Sequence, residues 1–124
     1  MVATNTVMED IRSSAISELS SYTFIALGGS DDPPSMTQTE LGDEVIRKEA
    51  LDEDISLDTG SGTYSLTVTF GPAEAVGETI KETGLFDDSS SGNMSLRKLT
   101  NKYEKTSDKE IIITQEVSIE VVNS

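Results

Sequence analysis

Tyr64, Leu66, Val68 and Phe70 alternate with Ser65, Thr67 and Thr69, the two-residue repeat of a strand with one face on a core and the other in water. The same repeat returns over residues 110–122, a long β-branched run that alternates from Ile113 onward and is the strongest strand signal in the chain. Shorter apolar runs at residues 22–27 and 94–99 add two more candidate strands, the second with Met94, Leu96 and Leu99 inward. Residues 44–58 also turn to period two, and residues 58–62 then read as a hairpin connection rich in glycine. No helix of crossover length separates these strands, so the pattern predicts a mainly β fold, an antiparallel β-sandwich, over any βαβ arrangement.

One helix is expected in front of it. Val7, Ile11, Ala15 and Leu19 recur at spacings of three and four, with Met8 and Ile16 beside them, and Thr6 with Glu9 forms a capping-box pattern. The 124 residues suffice for one compact domain, divided here into residues 1–20, a helical segment or assembly arm, and residues 21–124, the sandwich. Residues 31–37, with two acids and two prolines, read as a loop. A single helical turn is expected at residues 39–42, and residues 88–93 look like a linker.

Nine Lys and Arg against 23 Asp and Glu leave a formal charge of −14 and a pI near 4.1. Such a surface repels nucleic acid. The absence of Cys and His removes disulfides, thiolate catalysis, the usual zinc ligands and every Ser-His or Cys-His arrangement. No apolar run reaches the length of a membrane span, and residues 1–9 lack the features of a signal peptide. The 35% apolar share is low for a globular chain of this charge. At molar salt the screening length falls to about 3 Å, so an acidic excess costs little there; the composition resembles that of proteins from salt-loving organisms, an ordinary acidic soluble protein being the alternative.

Carboxylates cluster at Asp31-Asp32, Asp43-Glu44, Asp52-Glu53-Asp54 and Asp87-Asp88. None completes a calcium loop: Asp52, Asp54 and Ser56 have the early spacing, but Leu57 stands where glycine is needed and Thr63 where the closing glutamate belongs. A two-carboxylate glycosidase needs no histidine, yet among so many acids a suitable pair arises by chance, and there is no Trp for sugar stacking. Asn93-Met94-Ser95 matches a glycosylation sequon, an accidental match without export. Gly28-Gly29 precedes acids that would repel phosphate. The chain is therefore expected to be no enzyme, with no cofactor, no metal, no nucleic acid and no membrane partner.

Three segments carry a resemblance: Ile25-Ala-Leu-Gly-Gly-Ser30, then Thr39-Glu-Leu-Gly-Asp-Glu-Val-Ile-Arg47, and Gly77-Glu-Thr-Ile-Lys-Glu-Thr-Gly-Leu-Phe-Asp87. Together they resemble a small β-rich domain of tailed-virus tail-fibre, collar and baseplate proteins, in which the last motif sits between two sheet strands. The resemblance spans residues 22–122 and implies a virion structural protein, located in the virion with the tail favoured and made in the host cytoplasm, that acts by packing against its own copies and other virion proteins. Its acidity, the helix at residues 6–19 and the lack of a shaft or receptor-binding tip point to an adaptor, baseplate or fibre-anchoring subunit; the acidity further suggests a virus of a halophilic archaeon. A host-surface glycan- or protein-binding module, with Tyr103 as its best exposed aromatic beside Tyr22 and Tyr64, and a capsid-decorating protein are the alternatives.

Two residue sets follow. Val7, Ile11, Ile16 and Leu19, together with the long final strand, are the expected assembly interface. Thr79, Ile80, Glu82, Gly84, Leu85, Phe86 and Arg47 are the expected motif core, with Thr79-Ile80 and Leu85-Phe86 fixing a surface segment to the sandwich. Gly84 is expected where a Cβ is unwelcome, and Glu82, if buried, is expected to pair with Arg47 or Lys81.

Overall fold

The computed structural model describes residues 18–35, 37–58 and 61–118. They build two antiparallel sheets. In chain order the strands are β1 (Phe24–Gly28), β2 (Glu44–Glu49), β3 (Ile55–Asp58), β4 (Thr63–Phe70), β5 (Thr79–Phe86), β6 (Met94–Glu104) and β7 (Ile111–Ser118). Sheet order is β2-β1-β5-β6 in the first and β3-β4-β7 in the second, the antiparallel sandwich that the alternation predicts.

Period two decides which side chains meet between the sheets. Tyr64, Leu66, Val68 and Phe70 of β4 are buried and pack with Ile25, Leu27, Ala50, Ile80 and Leu85 in the main core. Ile111, Ile113 and Val117 of β7 pack on the same cluster, while Ile112 points away and is 59% exposed. Tyr64 is the one tyrosine among the buried residues of this cluster, and its hydroxyl donates to the carbonyl of Tyr22 at 2.8 Å, as a buried phenol requires.

Residues 44–58 are not one strand. They split into β2 and β3, which belong to different sheets and are joined by a 3-10 turn at Asp52–Asp54. Acidic residues at consecutive positions suit that exposed corner, and Ser56, which the calcium spacing needs in a loop, lies in β3. The hairpin at residues 58–62 holds: β3 and β4 are antiparallel neighbours, and Gly62, at φ 71°, returns its N–H to the carbonyl of Asp58. Residues 39–42 form no helical turn.

The largest departure concerns residues 79–86. The motif does not sit between strands as a surface segment; it is β5, flanked by β1 on one side and β6 on the other. Residues 87–93 are consequently a hairpin loop between paired strands. A register shift between Leu85 and Phe86 on β5 turns Met94 to a second cluster while Leu96 stays on the main core. Leu99 lies opposite Glu82 and is 37% exposed, so it faces outward with Glu82 and not inward.

That second cluster caps the outer face of the four-stranded sheet. Ala26, Leu41 and Phe86 are buried there, with Phe24 and Met94 against them. Leu41 comes from the loop after β1, which folds back over the sheet. The helical arm of residues 1–20 lies outside the described residues except for its end: Glu18 and Leu19 are helical, and Leu19 packs on the main core.

Candidate functional site

Cross-strand register assembles a layer of small residues between two arginines. Arg47 of β2 pairs with Ala26 of β1, Ala26 with Gly84 of β5, and Gly84 with Arg97 of β6. Ala26 and Gly84 leave room that Leu41 fills. A Cβ on Gly84 would come within 2.8 Å of both Leu41 Cδ2 and Phe86 Cε2, so this position excludes a side chain by close approach. Gly28, opposite Glu82, is in the same position: its Cβ would stand 2.5 Å from Glu82 Oε2.

Glu82 is fully buried and its carboxylate accepts four hydrogen bonds. Arg97 Nε donates to Oε1 at 2.7 Å, Gly42 N to Oε1 at 2.9 Å, and the N–H groups of Ser30 and Asp43 to Oε2 at 2.8 and 2.9 Å. Burial pushes the carboxyl upward, but the Arg97 guanidinium and the three backbone donors outweigh it and hold Glu82 below its ordinary range. Arg97 spends its other nitrogens on the same loop, donating to Asp32 O at 2.7 Å and Ser30 O at 3.4 Å. The pair therefore fastens residues 30–43 to the sheet.

Arg47 does the equivalent for residues 87–93. Its guanidinium lies 3.6 Å from the Phe86 ring centroid, pairs with Glu44 at 2.6 Å, and donates to the carbonyls of Asp88 and Ser91. Arg47 thus lies against Phe86 and is not Glu82's partner, contrary to the expected pairing. Nor is Lys81, which reaches toward Asp31 at 3.8 Å. Arg97, the actual partner, has no local sequence signature; only the β5–β6 register places it diagonal to Glu82 on one face.

Of the motif core, Glu82, Gly84, Phe86 and Arg47 share the outer face, whereas Ile80 and Leu85 enter the main core and Thr79 opens β5 opposite Glu104. Of the interface set, Val7, Ile11 and Ile16 lie outside the described residues and Leu19 is half-buried. The acidic pairs are dispersed: Asp87 accepts from Asn93 N and Nδ2 to close its hairpin, and among the described residues no three carboxylates gather to hold a metal. Lys105, unnoticed in the sequence, is 2% exposed and donates to the carbonyls of Pro72 and Thr106, tying the β4–β5 turn to the β6–β7 connection. No helix of the described residues is long and apolar enough to cross a membrane.

Among the described residues, β6 and β7 each pair on a single side, and between them runs a cleft of about 280 Å³ lined by Ile80, Thr83, Tyr103, Ile111 and Ile113. Natural sheets guard such edges with charge, proline or short length. β2 carries Glu44, Arg47, Lys48 and Glu49, β3 has only 4 residues, and β6 carries Arg97, Lys98, Lys102 and Glu104. β7 is the exception, eight residues with Glu116 as the sole charge. No protein-family model matches the chain, and comparison with curated proteins finds no relative.

Proposed function

We propose that this chain is a non-enzymatic structural subunit of a tailed-virus particle, an adaptor in the tail, baseplate or fibre attachment, that acts through subunit packing. The unguarded β7 edge carries the assembly half of this reading: an eight-residue strand with one charged side chain and, among the described residues, no second neighbour is a surface built to be covered. Its viral half rests on the three resembling segments, and the −14 charge supports assembly in a salt-rich medium where carboxylate repulsion is screened. Light scattering coupled to size exclusion, with circular dichroism on the same samples, tests it. A defined β-rich oligomer at molar salt that dissociates when salt is withdrawn is the expected result; a folded monomer at both salts overturns it.

The second reading, a host-surface binding module, is favoured by one observation. Tyr103 is 36% exposed at the rim of the β6–β7 cleft, where a ring could stack on a sugar or an apolar side chain. Loss of glycan or cell-surface binding in Tyr103→Ala, with the mass unchanged, would select it.

A further inference from the structure

We infer that β7 pairs antiparallel with β7 of a second copy of this chain, across a two-fold axis at Thr114, giving one continuous six-stranded sheet. This rests on the assembly reading above and names its partner.

Charge argues for a copy of the same chain. Two molecules of −14 meet best where their own surfaces carry almost no charge, since an isologous contact sets each patch against itself and charges enclosed in a contact are screened little even by molar salt. β7 is that patch: Ile111, Ile112, Ile113, Thr114, Gln115 and Val117 are uncharged. Its neighbour on the outer face, β4, presents Ser65, Thr67 and Thr69, so the uncharged surface continues behind the edge. The N–H and C=O groups on the β7 edge that no described strand engages also supply a ready ladder.

Symmetry and charge then select the register. Even-numbered residues of β7 face outward and odd-numbered ones the core, so a two-fold pairing must be centred on a residue opposite itself. Centring on Glu116 sets two carboxylates face to face, and centring on Ile113 sets Glu110 against Glu116; like charges directly opposite are destabilising. Centring on Gln115 places two amides side by side on the core face. Thr114 avoids all three. There Ile112 meets Glu116, whose methylenes cover it, Ile111 meets Val117, and Ile113 meets Gln115, which extends the apolar layer across the mouth of the β6–β7 cleft.

The full chain at molar salt tests this, with circular dichroism confirming the fold of each variant. Wild type is expected at twice the 13.3 kDa chain mass or an even multiple of it. Thr114→Lys and Thr114→Glu each halve that mass by setting like charges face to face inside the ladder, where salt screens them little, an equimolar mixture restores it, and Thr114→Val leaves it intact. Because the chain has no cysteine, Thr114→Cys introduces a single thiol that links to its own copy under mild oxidation, whereas Ile112→Cys and Glu116→Cys link only when mixed. An oligomer indifferent to Thr114→Lys, or one dissociated by Ile11→Asp alone, overturns the β7 pairing and leaves the assembly reading standing. A wild-type monomer removes both.

Discussion

Glu82 and Arg97 stand diagonally across β5 and β6, 2.7 Å apart at Oε1 and Nε, with side chains 0% and 2% exposed. Withdrawing both charges from water is costly, and mutual attraction alone seldom offsets it. Here the carboxylate also satisfies three backbone N–H groups of the 30–43 loop, so the pair does for a loop what a strand ladder does for a sheet. Glu82→Gln keeps the shape but leaves the guanidinium uncompensated; a loss of about 3 to 5 kcal/mol is expected by urea unfolding. A loss below about 1 kcal/mol, the size of an exposed pair, would contradict the anchor.

The same carboxylate makes stability depend on pH. Burial raises it, but Arg97 and the backbone donors hold its folded-state value below the ordinary 4.5, and Glu74 is lowered likewise, first by its hydrogen bond to Lys48. The unfolded chain then binds more protons, so stability rises with pH in this window. The contribution is complete above about 5 and is lost as pH falls through the folded-state values. Unfolding measured at molar salt, where general repulsion is screened, should show this fall, and Glu82→Gln should flatten it.

Gly84→Ala places a Cβ 2.8 Å from Leu41 and Phe86. Overpacking of this kind costs about 1 to 3 kcal/mol. Shortening the obstructing side chain should recover part of it, so Gly84→Ala combined with Leu41→Val is expected to be less destabilised than the sum of the two changes. Strict additivity in a double-mutant cycle would show that the close approach is not what keeps glycine there.

Arg47→Ala removes the cation over Phe86 and two donors to residues 87–93. Limited proteolysis should cut first within that hairpin, while residues 30–43, held by Glu82 and Arg97, stay protected. Arg47→Lys keeps the charge but not the planar fork, and is expected to protect only partly. Equal cleavage of both loops in Arg47→Ala would refute the division of labour between the two arginines.

Strand identity was legible in sequence wherever one face was dry and the other wet. β4 and β7 announce themselves because alternation is a local property fixed by the pleat. β5 does not: Glu82, Gly84 and Phe86 face a covered outer layer, so both faces are buried, alternation vanishes and the segment reads as a surface segment fixed to the sandwich. Residues 44–58 mislead in the opposite way, since period two persists across a corner that passes from one sheet to the other.

Alternation along the chain sufficed for the fold class and for the main core residues of β4. Packing was needed to show that Arg97 answers Glu82, that Leu99 faces out, and that β7 ends its sheet among the described residues. The physical reason is that burial pattern is written along the chain, whereas ion pairing and edge exposure depend on register between strands distant in sequence, which no single segment encodes.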